Sequence, residues 1–102
     1  VLPPKSIEAR IALFLNNESI AFVDGTVQYM NKPLTETIRI YKPNYEGNPL
    51  KQLLILSSKC FAGLTWMIKR RSVHIAMREN IRYGEDLLLF MELARDGGLY
   101  TY

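Results

Sequence analysis

Apolar positions along the chain fall into short groups with different spacings, and those spacings assign most of the elements. Ile7, Ile11, Phe14 and Leu15 recur at helical intervals behind Ser6, so a helix capped by Ser6 is expected over residues 7 to 16. Asn16-Asn17 ends it. Ile20-Ala21-Phe22-Val23 is an unbroken apolar run, too short for a helix and long enough for a buried strand. Asp24-Gly25 then reads either as a two-residue hairpin turn or as a bulge in one strand continuing through Thr26-Val27-Gln28-Tyr29-Met30. Asn31-Lys32-Pro33 marks a turn, and Thr37-Ile38-Arg39-Ile40-Tyr41 alternates as a half-buried strand that pairs with the one ending at Met30.

The second half carries clearer punctuation. Asn48 as cap with Pro49 in the first helical position predicts a helix to about Ser58, with Leu50, Leu53, Leu54 and Ser57 on one face. Cys60-Phe61-Ala62-Gly63 is a loop of small residues around one phenylalanine. Leu64 to Ile68 reads as a strand ending at the basic triplet Lys69-Arg70-Arg71, and Ser72 heads a short helix to about Arg78. The last helix spans about residues 85 to 95. It is so rich in leucine that burial on nearly every side is expected. Gly97-Gly98 stops it, and the chain closes in a strand-like segment. The result is an α/β domain with a mixed sheet and about four helices.

Composition narrows the function classes. The chain has 102 residues, 48% of them apolar and 23% charged, which suits one globular domain over residues 1–102. No apolar run reaches 18 residues. The net charge of +3 is mild and scattered apart from one triplet, so nucleic-acid binding is not expected. Cys60 is the only cysteine and His74 the only histidine, which leaves no disulfide and no metal set built on them. A cytoplasmic setting fits a lone cysteine. The chain begins at Val1 without methionine and ends inside a strand-like segment, so it is expected to be a piece cut from a larger protein.

The chemistry concentrates in Glu85-Asp86, two carboxylates ahead of Leu87-Leu88-Leu89. A carboxylate in a helix's first turn gains about 0.3–1 kcal/mol from the helix dipole, which alone accounts for one of them. Two charges at the head of so apolar a helix further require a solvated cleft, the sheet's edge or a cationic partner. A cleft at the strand ends of an α/β sheet is where ligands usually bind.

The stretch Tyr83-Gly84-Glu85-Asp86-Leu87-Leu88-Leu89, with Glu92-Leu93-Ala94-Arg95-Asp96-Gly97-Gly98 behind it, resembles the second half of family 2 glycosyltransferases. The order upstream is similar too: an apolar strand meeting Asp24-Gly25, a loop with Pro49-Leu50, and a strand ending in basic residues. The resemblance implies the acceptor-side half of a nucleotide-sugar transferase (GT-A) fold, in an inverting enzyme that moves a sugar from a nucleotide-sugar donor to a glycan or lipid-linked acceptor hydroxyl. It further implies Asp86 as general base and Glu85 as its orienting neighbour. Gly63, Trp66, Tyr83 and Arg70 would lie at the substrate. A divalent cation, Mg or Mn, would belong to the full-length parent, which is expected in the cytoplasm, at most peripheral to a membrane. The chain has no Asp-x-Asp motif for that ion and no glycine-rich phosphate loop. By itself it is therefore expected to hold no cofactor and to be inactive. The alternative is a non-catalytic α/β interaction module that self-associates through an exposed sheet edge, as a homodimer for example.

Overall fold

The computed structural model describes residues 2–61, 65–69 and 85–102, for Glu85 the backbone only. Within them lie three helices, a mixed three-stranded sheet and a two-stranded antiparallel hairpin. The expected helix from Ser72 to Arg78, the start of the strand at Leu64, and Gly63, Arg70, Arg71, His74 and Tyr83 lie outside the described residues.

The central strand is β1 (Ile20–Val23), whose four residues are all buried. It runs antiparallel to β4 (Met67–Ile68) on one side and parallel to β5 (Leu99–Thr101) on the other. A strand covered on both faces needs a continuous apolar run, and Ile20-Ala21-Phe22-Val23 supplies one. The outer edge of β5 is partly occupied: Gly47 exchanges both backbone hydrogen bonds with Tyr100, at 3.0 and 2.8 Å. Such a bridge shortens the edge open to a second chain.

β1 does not continue into β2 (Val27–Met30), nor do the two pair with each other. β2 pairs instead with β3 (Thr37–Tyr41), so Asp24-Gly25 is neither a hairpin turn nor a bulge in one strand but the crossing from one sheet to the other. The pairing of β2 with β3 is as expected, and Asn31 closes their connection by accepting from the amides of Thr35 and Glu36 at 3.0 and 3.1 Å. β3, expected half-buried, is almost wholly exposed, with Ile38 and Ile40 on one open face.

The helices depart from expectation in instructive ways. α1 (Ser6–Asn16) begins where the sequence indicates, but Lys5, at φ 63°, is the residue before its first turn, and Ser6 accepts from the guanidinium of Arg10 instead of capping. The stripe Ser6, Arg10, Leu13 and Phe14 is the half-buried one. Ile7, Ile11 and Leu15 face outward, so the helix is rotated by about one position from the apolar face read in the sequence. α2 (Leu50–Leu54) stops four residues early, because Leu56 takes a left-handed φ of 53° and turns the chain away. Leu54, Ile55 and Leu56 are consequently exposed. α3 (Glu85–Arg95) matches the expected helix; it buries Phe90, Leu93 and Ala94, while Leu87, Leu88, Leu89 and Met91 are only half-buried.

Asn48 ties the two later helices together. Its side-chain oxygen accepts from the Leu50 amide at 3.1 Å, and its amide nitrogen donates to the Ala94 carbonyl at 2.7 Å. One side chain thus serves the start of α2 and the end of α3, both of which leave backbone groups unpaired. Gly97 completes the turn out of α3 at φ 94°, with Gly97 and Gly98 amides returning to the carbonyls of Ala94 and Leu93 at 3.0 Å each. A side chain at Gly97 would meet nothing within 4 Å, so its requirement for glycine is one of backbone conformation alone. Gly97→Ala is expected to lower stability by about 1 kcal/mol in urea unfolding, and Gly97→Asn by clearly less, because asparagine tolerates the left-handed region. Equal losses for both would show that the conformation is not what the glycine supplies.

Candidate functional site

The carboxyl end of β1 runs straight into a buried acidic group. Asp24 is 3% exposed, the one buried charged residue among those described. Four donors reach its two oxygens. Oδ1 accepts from the Gly25 amide at 2.8 Å and the Thr65 hydroxyl at 2.7 Å. Oδ2 accepts from the Phe61 amide at 3.0 Å and the Tyr100 hydroxyl at 2.6 Å. Asp24 therefore acts as a pure acceptor, and correcting its reading as a turn residue is the main change the structure makes to the site. Phe61 sits at φ 61°, an uncommon place for a large side chain, where its amide reaches Asp24.

Beneath the carboxylate lies an aromatic cluster. Phe22 meets Phe61 and Phe90 edge-on, with ring centroids 5.1 and 5.9 Å apart, and Phe61 stacks on Phe90 at 4.6 Å. Trp66 meets Phe90 edge-on at 4.7 Å. Such pairs add about 0.5–1.5 kcal/mol each beyond the area they bury. Trp66 is half-buried and packs against this cluster.

The same surroundings perturb two titrating groups. Burial, and then the charge of Asp24, raises the Cys60 thiol to about 11. Burial, and then the hydrogen bond to Asp24, raises the Tyr100 phenol well above its ordinary value, because deprotonation would set two anions 2.6 Å apart. Cys60 is thus a buried, protonated thiol.

Asp86 occupies a different environment. It is exposed in the first turn of α3, and its Oδ1 accepts from the amide of the next residue, Leu87, at 2.8 Å. That contact is the helix-start role anticipated for one of the two acidic residues. Of the expected substrate residues, Trp66 is packed at the β4 side of the core, whereas Gly63, Arg70 and Tyr83, and the side chain of Glu85, lie outside what is described. The residues that the sequence did not single out are Phe61, Thr65 and Tyr100. They stand 37, 41 and 76 positions from Asp24, so no local pattern could join them.

Among the described residues no three His, Cys, Asp or Glu side chains group so as to hold a metal ion, and no helix is long and apolar enough to cross a membrane. No family model matches the chain, and neither does any curated protein or solved structure to which it was compared.

Two predictions follow from the Asp24 cluster. Asp24→Asn keeps the size of the side chain but turns an amide NH2 toward donors; it is expected to cost roughly 3 kcal/mol in urea unfolding, and a loss under ~1 kcal/mol would show that the donors do not depend on the charge. The second concerns alkaline pH. The Cys60 thiol is raised from 9.0 to about 11 on folding, so its contribution is fully present below pH 9 and is lost as pH rises through 11. That loss approaches ~2–3 kcal/mol, on the scale of 1.36 kcal/mol per pH unit, with Tyr100 acting in the same direction above pH 10. The unfolding midpoint should fall from pH 9 to 11, less steeply in Cys60→Ala; a flat profile over that range would contradict the assignment.

Proposed function

We propose that the chain is the acceptor-side part of an inverting glycosyltransferase, the second half of a GT-A-type catalytic domain, with Asp86 as the general base. The observation that carries this reading is the contrast between two carboxylates. Asp24 is saturated by four donors and shut from solvent. Asp86 is exposed, and among the described residues its side chain accepts from the Leu87 amide of its own helix alone.

The topology supports it further. Trp66 stands just ahead of β4, whose pairing places Met67 opposite Val23, so Trp66 is level with the carboxyl end of β1. Phe90, midway along α3, packs on Trp66. The short link through Gly97-Gly98 returns the chain from α3 into β5, which is parallel to β1. In this reading the head of α3 lies toward the carboxyl ends of β1 and β5, the end at which α/β sheets bind ligands.

In this reading Asp86 accepts the proton of the acceptor hydroxyl as its oxygen bonds to the anomeric carbon and the carbon–diphosphate bond breaks on the opposite side. The sugar inverts, the proton rests on Asp86, and the nucleoside diphosphate leaves. Glu85 orients the acceptor or the base; Tyr83, Arg70, Gly63 and Trp66 complete the substrate side. The nucleotide-sugar donor and a divalent cation belong to the parent's other half, so the chain alone transfers nothing, and the acceptor is a glycan or a lipid-linked alcohol.

A second reading, a self-associating module, is favoured by the outward apolar residues Ile7, Ile11 and Leu15 on α1 and Leu54, Ile55 and Leu56 after α2. The two readings separate on one substitution. Asp86→Asn retains an oxygen for the Leu87 amide, so stability should change by less than about 0.5 kcal/mol. In the full-length parent, kcat should fall by about 10²–10⁴, or roughly 3–5 kcal/mol of barrier. A fall well under tenfold would leave Asp86 as a helix-start residue and nothing more.

A further inference from the structure

The geometry points to a second binding site, for an amphiphilic anion, in the cavity between the first turn of α1 and the β2–β3 hairpin. This inference does not rest on the glycosyl-transfer reading; neither Asp86 nor Trp66 lines the cavity. The space is a half-open groove of about 1000 Å³, with Lys5, Leu34, Ile40 and Lys42 of its wall exposed to solvent. Among the described residues its wall carries three cations, Lys5, Arg10 and Lys42, and no carboxylate. The remainder is chiefly apolar, with Met30, Leu34 and Ile40 contributed by the hairpin. A pocket with one sign of charge and an oily remainder suits an anionic head group on an apolar body.

Arg10 is the centre of the argument. Its side chain lies on the half-buried stripe of α1, and one terminal nitrogen donates to Ser6. Its Nε is closed off from solvent and has no hydrogen-bond acceptor among the described residues. The guanidinium lies directly over Gly25, where a side-chain carbon would collide with it, so the absence of a side chain at position 25 is what admits it. Asp24, next along the chain, has its oxygens committed to core donors and none to Arg10. A partly buried guanidinium without a carboxylate partner among the described residues carries an uncompensated desolvation cost, which a bound anion would offset. The α1 start adds to this field: no side chain caps its amides, and Lys5 precedes it. Glu8, in the same turn, is exposed and does not line the cavity.

The test titrates the 102-residue chain with hexyl phosphate, hexanoate, inorganic phosphate and 1-hexanol, following backbone amide NMR shifts. Hexyl phosphate or hexanoate should bind at least about tenfold more tightly than inorganic phosphate and than 1-hexanol, with shifts centred on Ala9, Gln28 and Ile40. Whichever of the two acids binds better identifies the head group as phosphate or carboxylate. Arg10→Gln should weaken that binding about tenfold or more, Lys42→Gln by less, and Lys51→Gln, on α2 and away from the cavity, not at all. Equal affinity for inorganic phosphate and hexyl phosphate would overturn the amphiphile, and shifts confined to other surfaces would overturn the site. Unchanged affinity in folded Arg10→Gln would overturn the role of the guanidinium. Should that variant fail to fold, the double variant Lys5→Gln, Lys42→Gln decides: full retention of binding would overturn the proposal.

Discussion

A single carboxylate with four donors governs how the described segments fit together. Asp24 ends the most buried strand, and an unpaired charge there would be strongly unfavourable. It is tolerated because Gly25, Phe61, Thr65 and Tyr100 bring an amide or hydroxyl to it from four parts of the chain. Hydrogen bonds to a charged acceptor contribute about 1.5–3 kcal/mol each, and the loss of one partner strands the rest. The loop around Phe61, the approach to β4 and the last strand β5 are thereby fixed to the end of β1. The same arrangement holds Tyr100 and Cys60 in their protonated forms, since either anion would face Asp24 in a desolvated setting.

That constraint sets the division of labour between acidic residues. A carboxylate with every acceptor position filled cannot take a proton from a substrate without breaking the contacts that hold the fold. Chemistry, if the sheet end supports it, falls to a group whose environment is open. Asp86 satisfies this because α3 is anchored at its other end. Asn48, Gly97 and the buried Phe90, Leu93 and Ala94 fix the later turns of the helix, and Asp86 in its first turn is exposed while Leu87 packs against the core. Anchoring a helix by its tail to present its head is compatible with a leucine-rich sequence that begins with charges.

Local patterning made the elements legible and the site only half so. The apolar run of β1, the alternation of β3, Asn48-Pro49 and Gly97-Gly98 each state a local preference, and each marks a real element or boundary. Their limits come from tertiary contacts. α1 turns the stripe with Ser6 and Arg10 inward although Ile7 and Ile11 are the more apolar pair, because the guanidinium fits over Gly25. α2 ends early at Leu56, a residue with no sequence signal for a left-handed conformation. Asp24-Gly25 looks locally like a turn, since the dipeptide that suits a hairpin equally suits a change of sheet. The pair Glu85-Asp86 was visible because both of its readings, helix start and reactive group, are written in adjacent residues. The donors to Asp24 were invisible because each is unremarkable where it stands.

The crossing at Asp24-Gly25 gives the two sheets a shared joint. Asp24 turns inward to the core donors, while Gly25 leaves room for Arg10 on the side of the hairpin cavity. Thr65 belongs to both sides: it donates to Asp24 at 2.7 Å, lies 3.1 Å from the Gly25 carbonyl, and borders the cavity. A side chain at position 25 would meet the tip of the Arg10 guanidinium, which would have to shift. Any preference for glycine here comes from the arginine tip that packs against it and not from backbone angles, since positive φ among the glycines is confined to Gly47 and Gly97 within the described residues. One dipeptide thus lets the chain place an anion in the core and a cation beside the cavity without the two neutralising each other.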